Sequence, residues 1–551
     1  MSSTGRSSGV ERTIWTAGPP SRWIGPLAAA AAFVLVVGVP LYELSSAGLA
    51  LGWAGVADAF GRTGAARASF NTLWTAAVVT PAAIAAGTAA AMVTERSAVP
   101  GRRPLRLVVL LSLFIPPFVA AQSWASAYGP SGLVDDLLGV ALPGIYGPVG
   151  VVALLIVDAV PLAYIIVVGG LASRAEPDLE RAARASGATA WQAFGTVTLP
   201  LLKPALTAAG ALVFITTINA FGVPAILGLP GGFVTVTTRI YRDLAFAADP
   251  ASFTRVVVLA VSLVMVTLVT VGLADVLGAL KGPATRTGAP PGGDATAGRR
   301  AWAPAAALWA YAAITGGVPL VALILTSLTR AVGLAPVPAN WTLENYAEAV
   351  SAQSLEALTN SLLLAVAAAT VALLLGGLLT SLRRHRFGRA LGTSATLTFA
   401  VPGSALAVAV LLAYGRWLRD TLLLILIAYV AKFWAFGHRA IAASVEGLPP
   451  ELPHAARASG AGAGATLRTV ILPLLRPALV GAWLLVFVIA VHELTMSALL
   501  YGPGSRTLAV TILNAQQLGD ITVTSALAVL LLLLVLGAAV PLLLIGWRRS
   551  G

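Results

Sequence analysis

The chain has 551 residues, of which 58% are hydrophobic and 10% charged, with a mean hydropathy of +0.88 and a net charge of +13. A soluble domain carries about 25% charged residues, and a disordered chain needs low hydrophobicity, so both classes are excluded. The absence of cysteine excludes disulfide frameworks, iron–sulfur clusters, cysteine–zinc sites and cysteine nucleophiles, and four histidines leave little scope for a histidine metal cluster.

A bilayer core takes about 20 mostly apolar helical residues. Twelve such runs follow one another along the chain. They lie near 23–42, 71–93, 105–127, 146–172, 205–228 and 255–280, then near 302–326, 359–381, 393–414, 420–444, 477–500 and 522–547. They are continuous rather than alternating, which predicts helices rather than a barrel. The first run is long for a signal-peptide core and no clean small-residue cleavage site follows it, so it reads as a retained anchor. With both termini placed in the cytoplasm, 25 of the 35 basic residues fall on the cytoplasmic side, nine fall outside and Lys432 lies within a span. That asymmetry sets the orientation, and it accounts for the positive charge without nucleic acid.

The chain carries an internal repeat. Leu179-Glu-Arg-Ala-Ala-Arg-Ala-Ser-Gly187-Ala is matched by Leu452-Pro-His-Ala-Ala-Arg-Ala-Ser-Gly460-Ala. Each continues to a basic Leu-Pro box, Val197-Thr-Leu-Pro-Leu-Leu-Lys-Pro-Ala-Leu206 and Val470-Ile-Leu-Pro-Leu-Leu-Arg-Pro-Ala-Leu479, at a constant offset of 273 residues. Asn71-Thr-Leu and Asn360-Ser-Leu echo each other, as do Pro116 and Pro402. The expected fold is therefore all-α and integral to the membrane. About twelve transmembrane helices form two parallel, pseudo-twofold, six-helix halves, each with a cytoplasmic helical loop after its fourth span. The expected segments are a tail 1–22, a first half 23–280, a Pro/Gly-rich linker 281–301, a second half 302–547 and a tail 548–551.

Within each loop, Leu179, Ala182, Ala183 and Ser186, and likewise Leu452, Ala455, Ala456 and Ser459, fall at i, i+3, i+4 and i+7. They form a narrow face of small residues. Gly187 and Gly460 suit a left-handed helix end, and Leu199-Pro200 and Leu472-Pro473 return the chain to the membrane. The product is a helix–turn–helix knuckle, present once per half.

These residues resemble the E-A-A-x3-G-x9-I-x-L-P loop of ATP-binding-cassette importer permeases. Ala182, Ala183, Gly187, Val197, Leu199 and Pro200 match in one half, and Ala455, Ala456, Gly460, Val470, Leu472 and Pro473 in the other. Both copies depart at the glutamate, where Arg181 and His454 stand; Glu180 lies one place earlier. The resemblance covers essentially the whole chain. It implies a transport subunit that is not itself an enzyme and has no catalytic residue and no metal site. Its knuckles would be coupling helices seated on two copies of a separate ATPase. The ATP and magnesium would belong to those partners, and no cofactor to this chain. An extracytoplasmic solute-binding protein would deliver the solute, with membrane lipid around the spans and no nucleic acid. The setting implied is the bacterial cytoplasmic membrane, crossed many times, and the mechanism is alternating access. Consistently, the three lysines, Lys203, Lys281 and Lys432, lack the phosphate-cradling Gly-x-x-x-x-Gly-Lys-Ser/Thr context.

Fused permeases of this layout resemble ferric-iron importers most closely. Phe221-Gly-Val-Pro-Ala-Ile-Leu-Gly-Leu-Pro-Gly-Gly with Thr237-Thr-Arg-Ile-Tyr241, and His492-Glu-Leu-Thr-Met with Thr507-Leu-Ala-Val-Thr-Ile-Leu-Asn514, resemble their fifth-span exits. Thiamine, phosphonate and polyamine importers share much of this pattern. Ionisable and amide groups at membrane depth are costly and tend to face a cavity or a partner, so Glu493, His492, Asp158 and Asn219 are candidates for the translocation path; an interhelical structural pair is the alternative. An ion-coupled secondary transporter is the competing class. It needs no repeated knuckle and would use a midplane carboxylate such as Asp158.

Overall fold

The computed structural model describes residues 24–277, 302–382 and 398–550, apart from 62–63, 98, 175–176, 247–248, 399 and 450. The expected tail 1–22 and linker 281–301 lie outside the described residues. Regular structure among the described residues is helical, save for one isolated bridge between Thr329 and Trp341.

The helices used below are α1 (Leu27–Gly61), α2 (Ala65–Arg96), α3 (Arg102–Leu111), α4 (Pro117–Tyr128), α5 (Leu133–Leu138), α6 (Pro148–Arg174) and α7 (Pro177–Ala185). They continue with α8 (Ala190–Ala193), α9 (Leu199–Ile218), α10 (Val236–Ala245), α11 (Pro250–Val276) and α12 (Trp302–Leu328). The remainder are α13 (Ala352–Leu382), α14 (Gly403–Leu418), α15 (Leu422–Glu446), α16 (Glu451–Ala458), α17 (Ala463–Thr466), α18 (Leu472–Val491), α19 (Thr495–Leu500), α20 (Leu508–Leu518) and α21 (Ile521–Ser550).

Ten of the described helices are long and apolar enough to cross a bilayer, or eleven if one sharply bent pair counts as a span. The bent pair is the expected third run. It breaks by 105° between Phe114 and Pro117, because Pro116 and Pro117 force extended backbone at Ile115 (φ −80, ψ 119) and cannot continue a helix. The expected ninth run begins outside the described residues and continues as α14, which is 16 residues long. Pro402 (φ −54, ψ 135) precedes it in the same conformation as Pro116 (φ −57, ψ 133) before α4. The expected runs 205–228 and 477–500 begin and end earlier than the pattern implied, within continuous helix over Ala190–Ile218 and Gly464–Val491. α9 stops at Ile218 with Asn219 as its cap, and α18 stops at Val491 with His492 as its cap.

The chain packs as two compact units. Of the described residues, one holds those up to Gly52, those within Ala352–Thr511 and those from Leu533; the other holds those within Trp53–Ser351 and Ile512–Leu532. Neither matches a sequence half, because the first span of each half packs in the unit built on the other half. In the unit of Trp53–Ser351, α2, α6 and α9 form the core. Gly87 lets α2 meet α6, since a Cβ there would sit 2.7 Å from Ala163 Cβ and 2.9 Å from Tyr164 N. Small residues at such crossings are how apolar helices approach closely in lipid. α12 joins this core through Trp124, whose Nε1 donates to Thr315 O at 3.0 Å, and through Tyr128, whose hydroxyl donates to Ile314 O.

In the other unit α13, α15 and α18 form the core. Gly376 repeats the role of Gly87: a Cβ would sit 2.5 Å from His438 N. α1 joins it through Phe33, stacked on Trp434 at 5.4 Å, and through Tyr414, whose hydroxyl donates to Leu35 O. Leu35 lies in a π turn, Val34–Gly38, and Ile314 and Thr315 lie in a second, Ala313–Gly317. The extra residue of a π turn disturbs the i→i+4 ladder, and an aromatic donor bonds a carbonyl within it at both sites.

Candidate functional site

The two knuckles have the same backbone. In the first, Ser186 N donates to Ala182 O, Gly187 N to Arg184 O and Ala188 N to Ala183 O, at 3.0, 3.1 and 3.1 Å. In the second, Ser459 N donates to Ala455 O, Gly460 N to Arg457 O and Ala461 N to Ala456 O, at 3.0, 2.9 and 3.0 Å. Gly187 (φ +94) and Gly460 (φ +83) supply the left-handed end that this bonding requires. Ser186 Oγ and Ser459 Oγ each bond back to the carbonyl four residues earlier at 3.0 Å. A short helix and a π turn, Phe194–Thr198 or Leu467–Ile471, then lead into α9 or α18.

The exposed face is also the same. Leu179, Ala182 and Ser186 are exposed with Ala183 half-buried, and Leu452, Ala455 and Ser459 are exposed with Ala456 half-buried. Leu199, Pro200, Leu472 and Pro473 are exposed beside them. Apolar and small side chains facing outward on a short helix make a surface that another protein can approach closely.

The inner attachments differ. Glu180 turns inward: Thr198 Oγ1 donates to its Oε1 at 2.6 Å, and Arg96 Nη2 of α2 lies 3.8 Å away. At the positions 273 residues on stand Pro453 and Ile471, both buried and apolar. Arg181 is exposed and pairs with Asp178 at 2.7 Å. The first knuckle adds a capping box, Thr189 with Gln192, and an exposed Trp191 set edge-on to Phe194 at 5.9 Å. Gly462, Ala465, Gly464 and Leu467 hold those places in the second.

A second repeated device holds the segments after the fifth spans. Asn71 Nδ2 donates to Val234 O at 2.9 Å, and Thr72 Oγ1 accepts from Val236 N, the start of α10, at 2.8 Å. Asn360 Nδ2 donates to Gly504 O and Arg506 O at 3.2 and 3.0 Å, and Ser361 Oγ accepts from Leu508 N, the start of α20, at 2.8 Å. The Asn-Thr and Asn-Ser echo is thus a clamp. Between the fifth span and the clamp the offset falls from 273 to 272 residues, from Asn219 and His492 to Gly232 and Gly504. In this stretch the first half has a π turn, Pro224–Gly228, and the second half an α-helix, α19.

The four path candidates fall in different units: Asp158 and Asn219 in one, His492 and Glu493 in the other. Asp158 is half-buried on α6. Asn219 and His492 are repeat partners, each capping its fifth span, and each keeps a buried polar atom, Oδ1 and Nδ1, with no hydrogen-bond partner. Glu493 has a structural task. Its carboxylate accepts from Met496 N at 3.1 and 2.9 Å and from Ser497 N at 3.2 Å, capping α19. Tyr429 of α15 donates to Glu493 O at 3.2 Å, and Lys432 Nζ donates to Val401 O at 2.5 Å.

The family model described as the inner membrane component of binding-protein-dependent transport systems matches residues 80–280 and 372–545, one match per half. A ferric transport system permease protein of Actinobacillus pleuropneumoniae is 24% identical over 457 residues; the aligned stretch covers 78% of this chain but 64% of that protein, less than two thirds of its length. A Fe(3+)-transport system permease protein of Haemophilus influenzae is 23% identical, with 86% of this chain and 88% of that one covered. A Salmonella typhimurium permease protein named for 2-aminoethylphosphonate transport is 26% identical over 226 residues, 40% of this chain and 84% of its own.

Proposed function

Given that the chain belongs to the binding-protein-dependent transport system inner membrane component family, we propose that it is the permease of an ATP-driven importer for ferric iron. An extracytoplasmic binding protein delivers the solute, and two copies of a separate ATPase supply the work. The chain lies in the bacterial cytoplasmic membrane with both termini and both knuckles in the cytoplasm, the orientation favoured by the basic residues. The single observation that carries this reading is the duplicated knuckle, identical in backbone and exposed face in the two halves. Closure of the ATPases on ATP pushes α7 and α16 together with the fifth spans that follow them, opening the path outward, and hydrolysis resets it. Asn219 and His492, each capping the fifth span of its own unit, are the path candidates. The iron assignment draws support from the relatives named for ferric transport, whose alignments run through both halves.

The test uses Ala182→Trp combined with Ala455→Trp. Both positions are exposed and helical, so the chain is expected to reach the membrane at wild-type levels while the bulk blocks the approach of an ATPase. Co-purification should retain an ATPase with the wild type and lose it with the double variant. ATP hydrolysis in vesicles should rise with iron-loaded binding protein and stay flat with 2-aminoethylphosphonate. If no ATPase accompanies the wild type, an ion-coupled transporter replaces this account. A response to the phosphonate alone would move the chain to the phosphonate importers.

A further inference from the structure

The unit built around Trp53–Ser351 contains a cavity of mixed apolar and polar lining at the end away from α7. It lies where α4, α12 and α20 finish, bounded by the loops that follow them and by the start of α21. α6 is 27 residues long, which places the cavity about 40 Å along the helix from the knuckle. None of the knuckle or path residues named above lines it.

Among its apolar side chains stand three buried polar atoms without partners. Gln122 is fully buried (0% exposed); its Nε2 reaches Ser525 Oγ at 3.5 Å, and its Oε1 has no partner. Ser126 Oγ and Gln516 Oε1 also line the cavity, are buried and lack a partner. A buried polar atom without a hydrogen bond costs about 1–3 kcal/mol, so three of them around one space call for an occupant. The other polar side chains are oxygen-bearing as well, namely Ser131, Tyr146, Thr326, Thr329 and, at the exposed mouth, Asp136. No lysine, arginine or histidine lines the space.

The backbone points the same way. Ser126, Thr326 and Gln516 sit in the last turns of α4, α12 and α20, so three helix C-termini, each carrying about half a negative charge, meet there. Two long helices, α6 and α21, and the short α5 begin beside it and oppose them in part. The free space is about 50 Å³, room for one or two water-sized species and too little for an organic solute. Hard cations take oxygen ligands, and a divalent ion bound tightly wants several carboxylates. One carboxylate among neutral oxygens suits a single charge.

We propose that this cavity binds a small monovalent cation, held by Gln122, Ser126, Gln516 and the converging helix ends and drawn in by Asp136. Such an ion would tie the ends of α4, α12 and α20 together. The site stands apart from the importer reading and does not depend on it.

The experiment is equilibrium binding of radiolabelled Na⁺ to the purified full-length chain in nanodiscs, in a choline background at fixed ionic strength. The expected result is saturable binding near one ion per chain. Ser126→Ala and Gln516→Leu, separately, should weaken it by about tenfold while the chain still elutes as a monodisperse peak. Gln122→Leu should abolish binding; because that residue is fully buried, the two milder variants decide the matter if it fails to fold. Absence of saturable Na⁺ binding to the wild type would mean that the cavity holds water alone and would overturn the proposal. So would binding that Ser126→Ala and Gln516→Leu leave unchanged, which would place the ion elsewhere.

Discussion

The two knuckles differ on the side that faces the membrane spans and share one exposed row, Leu, Ala and Ser, on the side that faces away. α7 is pinned inward by a charged residue, Glu180, to Thr198 and Arg96. α16 has buried Pro453, and Ile471 buried in the turn after it, at the corresponding positions. A polar pair has been exchanged for an apolar pair, while the outward row of Leu, Ala and Ser and the glycine turn are unchanged. That row and the turn are thus the same residue by residue, whereas the inner attachment has only to be satisfied, by hydrogen bonds or by packing. The comparison also explains Glu180: its carboxylate is occupied within the chain and cannot also reach a docked partner.

The largest effect should come from breaking the polar attachment. Glu180→Ala leaves Thr198, which is fully buried, without its acceptor, and removes one contact of Arg96. The cost is about 2 kcal/mol, as for a hydrogen bond to a charged group. Hydrogen exchange should accelerate across 178–198 and stay at wild-type rates across 451–471. Solute uptake should fall severalfold while the ATPase still co-purifies. Equal acceleration in both knuckles would mean that the attachments are coupled and not local.

The clamps after the fifth spans give the next effect. Asn360 donates to two carbonyls and Asn71 to one. Asn360→Ala should therefore destabilise by about 2 kcal/mol and Asn71→Ala by about 1 kcal/mol, at roughly 1 kcal/mol per bond. Thermal unfolding in detergent reads the order directly, and a larger loss for Asn71→Ala would show that the second half holds α20 by other means.

Much of this was legible in the sequence. A constant offset located both knuckles, and the glycines marked their turns, because a left-handed helix end leaves a local signature. The Asn71 and Asn360 echo was visible as a repeat, but its partners lie 163 and 146 residues away, so the task of the asparagines was not. Hydropathy carries no phase information about where a run bends. It therefore merged α9 with the segment after Asn219, and α18 with α19. It placed Glu493 at membrane depth without indicating that its carboxylate caps α19. The exchange of first spans was invisible, because α1 and α12 present the same apolar surface to either unit. What fixes their partners is Tyr414 and Tyr128 bonding carbonyls in π turns, a backbone irregularity that composition does not encode.

The smallest effect concerns the position where the family pattern has its glutamate. Arg181 occupies it, and its visible partner is Asp178, one turn back, with both side chains more than three-quarters exposed. An exposed i,i+3 pair contributes about 0.3 kcal/mol, which salt screens further. Asp178→Ala should leave stability within error of wild type and change nothing at the second knuckle. Its value lies in the docking readout. If Arg181 merely solvates the outer face, ATPase affinity is unchanged at low and at high salt. If it reaches an acidic group on the ATPase, freeing it from Asp178 tightens the complex at low salt, and the gain vanishes at high salt. The same salt series on His454→Ala, where no ion pair competes among the described residues, then separates a charge contact at this position from simple steric seating.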